Sequence, residues 1–171
     1  MAFSPSEVAY LAEHAARIEA LAPEIALTKV SVFADRARLD AEFGEHARAV
    51  SALIAAQRQA DGKFPGWWLT DSDAAQQATP ALVAAHRART LAGAGATLVH
   101  DVTCSVGSEA PHMVDAGLTW LGSDLDEARL RMARYNLGRG AWLVRADALY
   151  PVSVPGAGGV VVADPARRKN G

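Results

Sequence analysis

The second half of the chain carries four short apolar runs, at residues 97–101, 118–123, 142–145 and 160–163, and each ends at or near an aspartate: Asp101, Asp124, Asp147 and Asp164. The first three aspartates are 23 positions apart, the spacing of a strand, a crossover helix and the next strand. Helical segments fill the gaps, residues 108–116 closed by Gly117, and residues 126–137 carrying Leu130, Met132, Ala133 and Asn136. Strands alternating with helices predict a largely parallel sheet, because every crossover returns the chain to the same end. Ligands of such sheets bind outside the carboxyl ends of the strands, at a switch in strand order. The four aspartates are expected along that rim.

The preceding residues follow a helical period. Ser4-Pro5-Ser6-Glu7 predicts a helix start, a capping box with proline in the first turn, and Val8, Leu11, Ala15, Ile18 and Leu21 continue it up to Pro23. Further helices are expected over about residues 24–43, stopped by Gly44, over 45–60, stopped at Asp61-Gly62, and over 73–78 and 80–91, the last opened by Thr79-Pro80. Lys63-Phe64-Pro65-Gly66-Trp67-Trp68 is too rich in proline and glycine for a regular element. The expected organisation is a helical region, residues 1–95, ahead of an α/β region, residues 96–171.

With 171 residues, 50% of them hydrophobic, the chain can bury a core. Its 17 basic and 19 acidic residues leave a formal charge of −2, so a nucleic-acid partner has to be held by a local patch. Cys104 is the sole cysteine, which excludes a disulfide framework and a multi-thiolate zinc site and predicts a reducing, cytoplasmic setting. No apolar run approaches the roughly 18 residues of a membrane helix, so no membrane partner is expected. The histidines, at His14, His46, His86, His100 and His112, show no metal-ligand spacing, and no metal site is expected.

The first turn of the α/β region, Asp101-Val102-Thr103-Cys104-Ser105-Val106-Gly107-Ser108, contains a single glycine. A dinucleotide turn needs G-x-G-x-x-G to bring backbone against a pyrophosphate, so close packing on two phosphates is disfavoured. A turn that opens with an acid suits a nucleoside carrying one ammonium and one carboxylate, the chemistry of S-adenosylmethionine. On this reading Asp101 holds the ammonium, directly or through water. The backbone amides from Ser105 to Glu109, in the turn that also holds Thr103 and Gly107, meet the carboxylate. Asp124 accepts from both ribose hydroxyls, and Asp147 accepts from the adenine amine. Asp126 reads as the opener of the next helix.

Asp101 to Gly107, Gly122-Ser123-Asp124, Ala133 to Asn136, Ala146-Asp147 and Asp164-Pro165-Ala166-Arg167-Arg168 together resemble class I S-adenosylmethionine-dependent methyltransferases. The D-P-A-R-R tail is more narrowly similar to a bacterial group with a THUMP-like domain, distant relatives of trimethylguanosine synthase. Lys63-Phe64-Pro65, Gln76-Gln77-Ala78-Thr79 and Ala84-Ala85-His86-Arg87 are similar to segments ahead of that group's catalytic domain. The resemblance spans about residues 45–168 and implies a Rossmann-like sheet, S-adenosylmethionine as cofactor and RNA as acceptor, methylated at a base nitrogen. It also implies that Asp164-Pro165 stands for the D/N-P of a D/N-P-P-aromatic motif, in which the acid and a backbone carbonyl accept from the target amine. Here Ala166 replaces the second proline and Arg167 replaces the aromatic residue. Arg167 is thus the candidate substrate contact, stacking on a base or gripping a phosphate, with a solvated terminal charge run as the other reading.

The remaining features lean structural. Trp67 and Trp68 are expected to pack as a lid on a core, Cys104 has no histidine placed to activate it, and Thr79 is expected to cap the next helix while Gln76 and Gln77 face the mouth of the site. The resembling fold continues through three further strands, whereas this chain ends six residues after Pro165. The expectation is therefore an incomplete sheet of about four parallel strands whose fourth strand is an open edge, completed by a missing C-terminal half or a partner chain. Three functions compete: a methyltransferase or a fragment of one, with RNA, small molecules or proteins as acceptors; a nucleic-acid-binding remnant without methyl transfer; and a nicotinamide dinucleotide binder, which the missing glycines oppose.

Overall fold

A computed structural model describes residues 3–153 and 156–165. The capping box forms as its residues predict. Glu7 N donates to Ser4 Oγ at 3.2 Å and Ser4 N to Glu7 Oε2 at 2.8 Å, opening α1 (Pro5–Glu13). The helical stretch expected to run on to Leu21 breaks at His14, whose backbone N–H and ring Nδ1 both meet the Tyr10 carbonyl, and resumes as α2 (Ala15–Leu21). The helix expected from residue 24 begins later, as α3 (Val32–Phe43). Side chains hold the intervening segment open: Leu27, at φ +53°, donates its amide to Asp35 Oδ2 at 2.7 Å, and Arg58 donates to the carbonyls of Ala22, Ile25 and Ala26. These bonds satisfy backbone groups that a helical ladder would otherwise have paired. α4 (Ala47–Gln59), α5 (Ser72–Gln77) and α6 (Ala81–Gly93) complete the helical region.

The α/β region is a Rossmann-like parallel sheet of β1 (Leu98–Asp101), β2 (Thr119–Asp124), β3 (Trp142–Arg145) and β4 (Gly159–Val162), in the order β3-β2-β1-β4. α7 (Ala110–Asp115) and α8 (Glu127–Leu137) make the first two crossovers. The chain moves from β1 outward to β3, then places β4 on the other side of β1, so the strand order switches there. Asp101 is level with Gly122 and Val162, and Asp124 with Arg145, which sets the carboxyl ends on one rim. Among the described residues β4 pairs only with β1.

Among the described residues, two large apolar cores stabilise this arrangement, beside a small alanine cluster of Ala56, Ala60 and Ala75. On one sheet face Val99 and Trp120 pack with Ala88, Ala110, Met113 and Leu118. Gly122 makes that possible, because a Cβ there would stand 2.2 Å from Cη2 of the Trp120 indole. The other core joins Leu11, Ile18, Leu53, Ile54 and Leu69 of the helical region to Val106, Ala128 and Met132 of the α/β region. Asn136 seals this junction: its Oδ1 accepts from Leu69 N at 2.8 Å, and its Nδ2 donates to the carbonyls of Leu69 at 3.0 Å and Val106 at 3.1 Å. Trp68 is buried and stacks on Phe64, ring centroids 5.2 Å apart, as the lid reading expects. No helix among the described residues is long and apolar enough to cross a membrane.

Candidate functional site

A cleft enclosing about 220 Å³ opens at the carboxyl end of β1, between β2 and β4. It is lined by Asp101, Thr103, Ser105, Asp124, Asp164 and Pro165, which come from three strand ends. Residues 101 to 165 are distant in sequence, yet the switch in strand order brings their carboxylates to one place.

The first turn is rigid by construction. Ser105 holds φ +51° and Gly107 φ +85°, both in the left-handed region. A Cβ at Gly107 would meet Leu137 Cδ1 at 2.6 Å, so the single glycine of the turn sits where α8 approaches most closely. Thr103 N donates to Asp101 Oδ1 at 3.1 Å, and Ser105 N donates to Asp124 Oδ2 at 2.9 Å. Asp124 Oδ1 accepts from Asp126 N at 2.9 Å, while Asp126 caps α8 through Ala128 N and Arg129 N, as expected. Thr103 Oγ1 in turn accepts from Asp164 N at 2.8 Å, tying the segment after β4 to the turn after β1.

Burial dominates the electrostatics. Asp101 is 7% exposed, and its carboxyl is pushed up to about 7 by desolvation and by the neighbouring charges of Glu109 and Asp124, against the Thr103 amide and Arg87. Cys104 is buried and its thiol is pushed strongly up by desolvation and by Asp101 and Asp124, which disfavours the nucleophilic thiolate. His100 lies fully buried between Ser123 Oγ at 3.0 Å and Ser153 Oγ at 2.7 Å, where burial lowers its basicity. Among the described residues no group of three or more histidine, cysteine or acidic side chains can hold a metal.

Of the expected site residues that the structure describes, Gly107 and Asp147 do not line the cleft. Asp147 is exposed in the turn after β3, where its Oδ1 accepts from Leu149 N at 2.9 Å, and it does not line the cleft. Arg167 is outside the described residues. Thr79 does not cap α6, whose N-cap is Pro80; its hydroxyl donates instead to Glu109 Oε1 at 2.8 Å. The cleft is also lined by Arg87, Glu109 and Arg129, none of whose side chains the residue patterns singled out, Glu109 being expected only through its backbone amide. The one sequence signal for Arg87 was its place in Ala84-Ala85-His86-Arg87, without a role attached.

No family model and no solved structure matches the chain. Two curated relatives do, one from each of two Mycobacterium tuberculosis strains, and each is named an uncharacterized S-adenosylmethionine-dependent methyltransferase. Each is 44% identical over 142 residues, which cover 77% of this chain and 38% of the relative. Over most of its length the chain is thus similar to proteins named S-adenosylmethionine-dependent methyltransferases, and it spans little more than a third of theirs, 38%.

Proposed function

We propose that the chain is an S-adenosylmethionine-dependent methyltransferase, or a fragment of one, that acts on RNA at a base nitrogen. The carrying observation is the meeting of Asp101, Asp124 and Asp164 in one cleft at the switch in strand order. The names of the relatives support the same reading. The donor and acceptor set fits the cofactor. Each Asp124 oxygen holds one backbone amide and keeps lone pairs for the ribose hydroxyls. Asp101, whose carboxyl burial pushes up to about 7, is drawn back to its charged form beside a ligand ammonium. The enclosed 220 Å³ is below the roughly 300–1,000 Å³ of pockets that swallow a whole ligand, so it suits the amino-acid end, with the nucleoside along the open rim beyond Asp124.

Bound there, the cofactor supplies a methyl group already activated on a sulfonium, and orientation is the protein's main contribution. The Asp164 carboxylate accepts a hydrogen bond from the target amine and aligns its lone pair, and Pro165 shapes the chain beside it. Through Thr103, the acceptor segment is registered against the cofactor turn. Asp147, outside the enclosed cleft in the turn after β3, is assigned to the adenine amine of a nucleoside lying along the open rim, and Arg167 to a base or phosphate of the substrate. The RNA assignment rests on the resemblance and on Arg167. The edge of β4 that has no partner strand among the described residues is assigned to further chain or to a partner that completes the sheet. Titration calorimetry with S-adenosylhomocysteine tests the reading: the chain should bind it, and Asp124→Ala should abolish binding by removing both the ribose acceptors and the anchor of Ser105 N. A native chain that gives no binding overturns it.

A further inference from the structure

Glu109 occupies the N-cap position of α7 but does not cap it. Its carboxylate turns the other way, and Oε1 accepts from Thr79 Oγ1 at 2.8 Å and from the guanidinium of Arg87. Glu109 lines the cleft, its side chain is only 8% exposed, and its buried Oε2 has no hydrogen-bond partner among the described residues. A buried carboxylate oxygen left without a donor is costly, so such an atom marks a place where a donor arrives. The charges point the same way. Among the described residues Asp101, Glu109, Asp124 and Asp164 line the cleft against Arg87 and Arg129, and Arg129 leans on Asp71, with Nε 3.7 Å from Oδ2.

We infer that Glu109 Oε2 receives the ammonium of the ligand's amino-acid end, alongside Asp101, and that Arg87 and Thr79 are positioning residues that aim it. This deepens the methyl-donor reading and rests on it. An ammonium has three N–H donors and no acceptor, so it satisfies the free oxygen and relieves the repulsion among neighbouring carboxylates together. The helical region ahead of the sheet thereby takes part in ligand selection, since Thr79 and Arg87 both belong to it.

Calorimetry on the 171-residue chain with two ligands tests this. S-adenosylhomocysteine carries the ammonium, and methylthioadenosine lacks the whole amino-acid end. Glu109→Gln should weaken the first by ~10–100-fold, the loss of a charge-assisted hydrogen bond, and leave the second within about twofold. Thr79→Val retains the carboxylate but loosens it, and should weaken only the first ligand, by ~2–5-fold; it carries the test if Glu109→Gln does not fold. Equal losses for both ligands, or none for either, would show Glu109 to be a strut between α6 and α7 and overturn the inference alone. A native chain that binds neither ligand overturns the methyl-donor reading and this inference with it.

Discussion

Asp101 shows what a residue gains from its surroundings. In water an aspartate is charged at neutral pH; here burial and two neighbouring acids push its carboxyl up to about 7. Its native pKa lies above the unfolded 3.8, so the fold binds a proton more tightly than the unfolded chain does. Stability from this group is therefore complete below the unfolded value and is lost as pH rises through about 7. Ligand binding has the opposite dependence, because the ammonium needs the carboxylate. S-adenosylhomocysteine affinity should rise up to about tenfold per pH unit below neutrality and level off above it, which calorimetry across that range would check. A flat profile would mean that Asp101 does not meet the ammonium. At this scale the sequence made Asp101, Asp124 and Asp164 legible, since each ends an apolar run. Glu109 was not, because its partners Thr79 and Arg87 lie 30 and 22 residues earlier and meet it only after folding.

At the scale of elements, strands and crossovers were the most readable part. β3 spans the expected residues, and the other strands moved by a residue or so, because a four-to-six-residue apolar run between turn residues has few other uses. The helical region was less readable. Residues 25–31 avoid a helix because Asp35 and Arg58 supply their backbone partners, and no local pattern announces that competition. Asn136 is the counterpart within a helix: a polar residue on α8 whose amide binds two backbone segments. Asn136→Ala should destabilise the chain by ~2–3 kcal/mol by leaving buried groups of Leu69 and Val106 unpaired. For a chain of this size that lowers the thermal midpoint by about 5–10 °C, measurable by circular dichroism.

For the whole molecule, the expected division at residues 95 and 96 meets a core that crosses it. Val106, Ala128 and Met132 are buried among the N-terminal helices, and α1 packs on α8. A truncated chain of residues 96–171 should lose cooperative thermal unfolding, since it exposes those side chains and strands Asn136 without Leu69; a sharp transition in that fragment would show the two regions to be independent. The alternation of short apolar runs and helices, with an aspartate after each run, was enough by itself to determine a parallel α/β sheet and which rim holds the candidate site, because strand period and crossover length are local properties. Only the tertiary structure decided that Asp147 stands outside the cleft, that Thr79 aims a carboxylate rather than capping a helix, and that the helical region forms one wall. Those outcomes depend on which distant side chains compete for the same buried hydrogen bonds, and that competition is settled when the layers pack.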